Sequence, residues 1–94
     1  MRGRRQAKWL YVGSSAVRAV RYNPSRSELD VRFEEGREYR YGRVPRSKFR
    51  ALLEAESIGT FVNCEIKPHH PCQEITHSFL QRLAHERSGQ RNPH

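Results

Sequence analysis

The stretch from Glu28 to Glu34 alternates without a fault. Leu29, Val31 and Phe33 fall on one side; Glu28, Asp30, Arg32 and Glu34 fall on the other. A period of two is the side-chain period of a β-strand, so one face of this strand packs and the other meets water. Glu35-Gly36 follows as a tight turn, with Gly36 free to take the positive φ that such hairpins need. Glu38 to Gly42 then reads as the returning strand, with Tyr39 and Tyr41 on one face and Glu38 and Arg40 on the other. Upstream, Ala16 to Tyr22 is a strand whose apolar residues Val17, Val20 and Tyr22 break strict alternation, as a bulge or an irregular start would make them do. Asn23-Pro24-Ser25 is the turn between. The pattern predicts a three-stranded antiparallel β-meander.

Val44-Pro45 opens a helix, because proline is tolerated where the first N–H has no helical partner. Phe49, Leu52 and Leu53 recur at helical spacing and form the face expected to cover the sheet. That helix is expected to end near Ser57 to Gly59, with Ile58, Phe61 and Ile66 as anchors beyond it. Lys67-Pro68-His69-His70-Pro71 is a break, since two close prolines forbid a continuous helix. A last helix is predicted from about Gln73 to Glu86, with Ile75, Phe79, Leu80 and Leu83 as its apolar stripe. The expected class is α+β: a three-stranded meander packed against one or two helices, with an additional C-terminal helix. The expected division is a disordered basic tail at 1–8, a domain at 9–67, a linker and helix at 68–87, and a disordered tail at 88–94. Trp9 to Val12 adds a short strand or leans on the domain.

A chain of 94 residues holds one domain. No apolar run approaches a bilayer span, and the basic start MRGRRQAKWLYVG lacks the apolar stretch of an export signal, so a cytoplasmic protein is expected. Cys64 and Cys72 are then expected as reduced thiols. They lie near His69, His70 and His77, but Cys-x4-His-His-x-Cys-x4-His matches no standard zinc spacing, and no metal or other cofactor is expected. Nothing arranges a nucleophile with a base, and a domain this small has little room for a deep pocket, so neither an enzyme nor a small-molecule substrate is expected.

The formal net charge is +8. Half of it comes from Arg2, Arg4, Arg5 and Lys8 in the N-terminal tail. Within the domain, acids crowd Glu28 to Glu35, and Arg37, Arg40, Arg43, Arg46, Lys48 and Arg50 crowd the next segment against Glu38 alone. Arginine forks suit phosphate geometry, so this group is a candidate nucleic-acid surface. Its plainer reading is a solvated face paired with nearby acids. Tyr39 and Tyr41 either stack on unpaired bases or lie under the helix with their hydroxyls at the rim; Arg40 points away from both. Asn63 is suited to tying a turn, and Lys67 to a phosphate contact or to open solvent.

From Ser14 to Lys67 the chain resembles the KTSC domain, found at the C-terminus of some lysyl-tRNA synthetases and as a small free-standing prokaryotic protein. The resemblance rests on Tyr39-Arg40-Tyr41 as the family's central Tyr-x-Tyr. In order around it stand Ser14-Ser15, Val20 and Tyr22, the Leu29-Val31-Phe33 strand, Gly36, Val44-Pro45, Phe49 and Leu52, Gly59 with Phe61 and Asn63, and Ile66-Lys67. Pro68-His69-His70-Pro71-Cys72 departs from the family's usual continuation. The resemblance implies a binding module and, through its link to a tRNA-charging enzyme, RNA (tRNA-like) or another nucleic acid as partner. Its candidate contacts are Arg37, Tyr39, Arg40, Tyr41, Arg43, Arg46, Lys48, Arg50 and Lys67. The alternative is a protein-interaction module in a bacterial or phage setting, a homodimer or a regulatory partner, using the C-terminal helix or a sheet edge.

Overall fold

A computed structural model describes residues 8–76. Its centre is the meander the alternation predicts: β2 (Val17–Asn23), β3 (Glu28–Phe33) and β4 (Glu38–Tyr41), each antiparallel to the next. Gly36 turns the β3–β4 hairpin at φ 107°. The irregular spacing in β2 is a bulge between Val17 and Ala19, which returns Val17, Val20 and Tyr22 to the packed side.

The sheet is larger than the sequence suggested. Among the described residues it has five strands, not three, neighbouring one another in chain order. Leu10–Tyr11 forms β1 along β2, and Cys72–Glu74 forms β5 along β4. The break at 67–71 therefore carries the chain back to the sheet edge and is no boundary. The Gly42 N–H donates to the Pro71 carbonyl at 2.9 Å, and the Ile75 N–H donates to the Glu38 carbonyl at 2.8 Å. The helix predicted from Gln73 is thus corrected at its start, where the chain is strand. Its later residues, Phe79, Leu80 and Leu83 among them, lie outside the described residues. Ile75, the first member of the expected stripe, is only 7% exposed, covered by this chain itself.

Helix α1 (Arg46–Glu54) and the short α2 (Ile58–Phe61) cover one face of the sheet. Pro45 stands just ahead of the first helical turn, its carbonyl accepting from the Lys48 N–H at 2.9 Å. Helix α1 ends at Glu54, earlier than expected, and Ser57 restarts the chain by accepting the Thr60 N–H at 3.2 Å. Leu52 is fully buried, and Phe49 stacks on Tyr22 with ring centroids 4.7 Å apart. Leu53 was expected on this face but is exposed. One residue along a helix is a rotation of about 100°, so the side of α1 that buries Leu52 turns Leu53 toward solvent. The core is Val17, Val20, Tyr22, Leu29, Val31, Tyr41, Val44, Leu52, Val62 and Ile66. At the seam, Gly59 lets α2 reach the start of β2: a Cβ there would stand 3.1 Å from the Ala16 Cβ.

The opposite sheet face does not simply meet water. Asp30 is 5% exposed and Glu38 6%. Asp30 accepts from Arg21 at 2.8 and 3.0 Å and from Arg40 at 2.8 and 3.2 Å; Glu38 accepts from Arg32 at 2.7 Å. Trp9, just before β1, lies against the guanidinium groups of Arg21 and Arg32, 4.2 and 4.4 Å from its ring centroid. Among the described residues no helix is long and apolar enough to cross a membrane.

Candidate functional site

After Phe61 the chain widens into a π-helical turn, Val62–Ile66, closed by the Lys67 N–H donating to the Val62 carbonyl at 2.9 Å. Such turns are rare and recur at functional sites. Val62 and Ile66 face the core. Their neighbours Asn63 and Lys67 are exposed and line a cleft of about 710 Å³ between this turn and the end of the sheet. Its sheet wall is Phe33, Tyr39 and Tyr41, with Cys72 brought in where β5 places it opposite Tyr41.

The cleft's aromatic groups differ in availability. Tyr41 is 2% exposed, and burial pushes its phenol up to about 12, with smaller contributions from Cys72 and Tyr39. It is a buried, neutral floor. Tyr39 is half-buried and meets Phe33 edge to face, centroids 5.8 Å apart at 69°. The Lys67 ammonium sits 5.1 Å from the Phe33 ring centroid. Arg37, fully exposed, stands by the Tyr39 hydroxyl, which with Glu74 and Glu35 raises its pKa. Glu34 and Glu35 complete the rim, and Glu34 is paired with Arg18 at 3.2 Å.

Of the nine residues proposed from sequence, Tyr39, Tyr41 and Lys67 share this cleft, and Arg37 stands at its edge. The others do not join them there. Arg40 is on the far face, held by Asp30 and within 3.7 Å of Glu28. Arg43, in the left-handed region at φ 57°, and Arg46 and Arg50 are exposed at the start of α1 and along it. Lys48 donates to the Glu65 carbonyl at 3.2 Å and lies 3.1 Å from His70 Nε2. Phe33, read from sequence as core alone, is also cleft wall. Asn63, expected to tie a turn, stands on the opposite wall. Cys72 had no local signal, because only long-range strand pairing puts it there.

A second depression of about 750 Å³ lies on the far face, lined by Trp9, Tyr11, Arg21, Arg32, Arg40 and Glu38 among others. Arg21, Arg32 and Arg40 are already bonded to Asp30 and Glu38, so this surface is close to neutral. Among the described residues no three His, Cys, Asp or Glu side chains converge as a metal site; Cys64 and Cys72 are free thiols, and His77 lies outside the described residues.

His70 has a structural post. Its Nδ1 is 3.1 Å from the Gly42 carbonyl, which can only accept, so Nδ1 carries the proton and Nε2 accepts from Lys48. Burial first, and the Lys48 charge second, lower its pKa from the ordinary 6.5. The unfolded chain therefore takes the proton more readily. Stability is fully present above the ordinary value and is lost as pH falls through the folded one. Urea melts between about pH 7 and about pH 5.5 should show stability falling with pH, and His70→Gln should flatten that slope.

Fold and cleft together define a small one-sheet α+β domain with helices on one face and an aromatic cleft at their seam. The KTSC domain model matches residues 13–70, more than half of the chain, and the chain belongs to the KTSC domain family. It is 44% identical over 63 residues to an uncharacterized protein of Stutzerimonas stutzeri, covering 67% of this chain and 89% of that one. It is 47% identical over 57 residues to a Tsukamurella paurometabola protein, covering 61% and 85%. The crystal structure of a KTSC domain protein from Yersinia pestis is similar with a TM-score of 0.70 at 29% identity, covering 72% of this chain and 96% of that one.

Proposed function

We propose that this domain is a non-catalytic module that binds single-stranded nucleic acid, RNA foremost, with the cleft as its docking point. One observation carries the reading: Phe33, Tyr39, Tyr41, Gly59, Asn63 and Lys67, which carry the family resemblance and come from separate stretches of chain, line one cleft. Aromatic walls with an ammonium at the lip suit a base and its phosphate. The net charge of +8 supplies general attraction to a polyanion. The occurrence of KTSC domains on some lysyl-tRNA synthetases agrees with this. Among the described residues no histidine lines the cleft to activate Cys72, and His70 is engaged by Gly42 and Lys48, which favours binding over catalysis.

The test is fluorescence-polarisation titration of the full chain with labelled tRNA, single-stranded RNA and duplex DNA at about 50 and 200 mM salt. Two variants separate the cleft from the basic tail: Lys67→Glu, and Arg2, Arg4 and Arg5 together changed to Ser. Single-stranded RNA should bind best. Lys67→Glu should weaken it about tenfold and flatten the salt slope by about one charge, while the tail variant keeps the preference. If affinity follows the tail alone, or is equal for every polyanion, this reading falls. The domain is then a protein-contact module, and its self-association by analytical ultracentrifugation becomes the question.

A further inference from the structure

Resting on that nucleic-acid reading, we infer that the cleft seats one unstacked nucleotide at a time, its base against Tyr39 and its phosphate on Lys67. The footprint follows from the rings. Phe33 and Tyr39 meet at 69°, forming a corner and not a platform, and Tyr41 is too buried to offer a face. A corner takes the face of one base, with the second ring against its edge. A volume of about 710 Å³ is that of a single small-ligand site. Duplex bases are stacked on both faces and cannot present one to Tyr39, so the occupant is a single strand or a free nucleotide.

The polar groups fit the same occupant. Asn63 offers both a donor and an acceptor, as the edge of a base requires. Lys67 rests over Phe33 at 5.1 Å, an exposed cation–π contact worth little, and leaves it for a phosphate at small cost. Arg37 stands on the Tyr39 side of the rim as a second cation. Of the two acids, Glu34 is offset by Arg18 at 3.2 Å. Glu35 remains on the rim, so phosphate approach is directed to the Lys67 lip.

The experiment compares, on the full chain, a ten-nucleotide RNA with a strand of equal charge in which every base is removed. Adenosine monophosphate is titrated separately by NMR. The base-bearing strand should bind about tenfold more tightly than the abasic one, one stack's worth. Tyr39→Leu should bring the ratio of the two affinities close to one, and Asn63→Ala, at an exposed position, should reduce that ratio without risk to the fold. Saturable shifts of Tyr39 and Lys67 with the mononucleotide would identify a free nucleotide as sufficient; binding of the strand alone would identify the strand as the source. Equal binding of both strands, or equal loss for both in Tyr39→Leu, overturns the one-base seat while the broader reading survives. Binding of no nucleic acid at all overturns both.

Discussion

Leu52→Ala is expected to destabilise the domain by about 3 kcal/mol, from the lost transfer free energy and the cavity left behind. Leu52 is the one residue of α1 that is fully buried. Phe49 is half-buried against the core and stacked on Tyr22, and Leu53 is exposed, so Leu52 is the fully buried anchor of α1. A small domain's total stability is of the order of 5–15 kcal/mol, so this single truncation removes a large share of it. Thermal unfolding by circular dichroism should show the midpoint falling by roughly 10–20 °C. Leu53→Ala, on the neighbouring residue, should change it by less than about 0.5 kcal/mol. Equal losses at the two positions would mean that α1 packs by a different face.

The second large effect is expected at Asp30. Its carboxylate is nearly inaccessible and receives four hydrogen bonds from two arginines on flanking strands. The strand register puts Arg21, Asp30 and Arg40 directly across from one another, so this triad joins β2, β3 and β4 on their uncovered face. Asp30→Ala leaves two guanidinium groups facing each other with no acid between them. Removing one partner of a buried pair costs about 3–5 kcal/mol; Arg40 is part-exposed, so a value near the lower end is expected. Arg21 also supports Trp9 at 4.2 Å, so tryptophan fluorescence should report the loosening of β1 in the same variant. Urea titration measures the stability loss. Asp30→Asn, which keeps an acceptor, should lose less. If Asp30→Ala costs under about 1 kcal/mol, the triad is a surface arrangement of the ordinary weak kind.

The same triad explains why the basic residues could not be sorted from sequence. Arg37 and Arg40 look alike in the chain, three residues apart in a basic run. In the fold, Arg40 is held by Asp30, ten residues earlier, and Arg37 stands exposed beside the Tyr39 hydroxyl at the cleft edge. Alternation of side chains separates them: Arg40 lies on the face opposite Tyr39 and Tyr41, as read from sequence. That its charge is neutralised there depended on strand register, which the period of two does not supply.

The two edge strands make the complementary case. Cys72–Glu74 carries three exposed polar side chains and no strand pattern. It is a strand because the break at 67–71 delivers its backbone to the open edge of β4, where Gly42 and Glu38 offer bonding groups. Ile75 read as the start of a helical stripe, yet it lines the depression on the uncovered face, as Trp9 does. An isolated apolar residue beyond a break has no period of its own, so the pattern downstream claimed it.

What the residues determined by themselves is local. Strict alternation made β3, glycine at positive φ made its hairpin, irregular spacing marked the bulge in β2, and the ordered motif around Tyr39-Arg40-Tyr41 indicated the family. Each depends on neighbours a few positions apart, where backbone geometry and side-chain period act directly. What only the tertiary structure decided is the cleft and the state of the charges. Phe33, Tyr39, Asn63, Lys67 and Cys72 are spread over some 40 positions and meet because a π-helical turn and an edge strand close on the same end of the sheet. Contacts of that range are set by how whole elements pack, and no periodicity within one element encodes them.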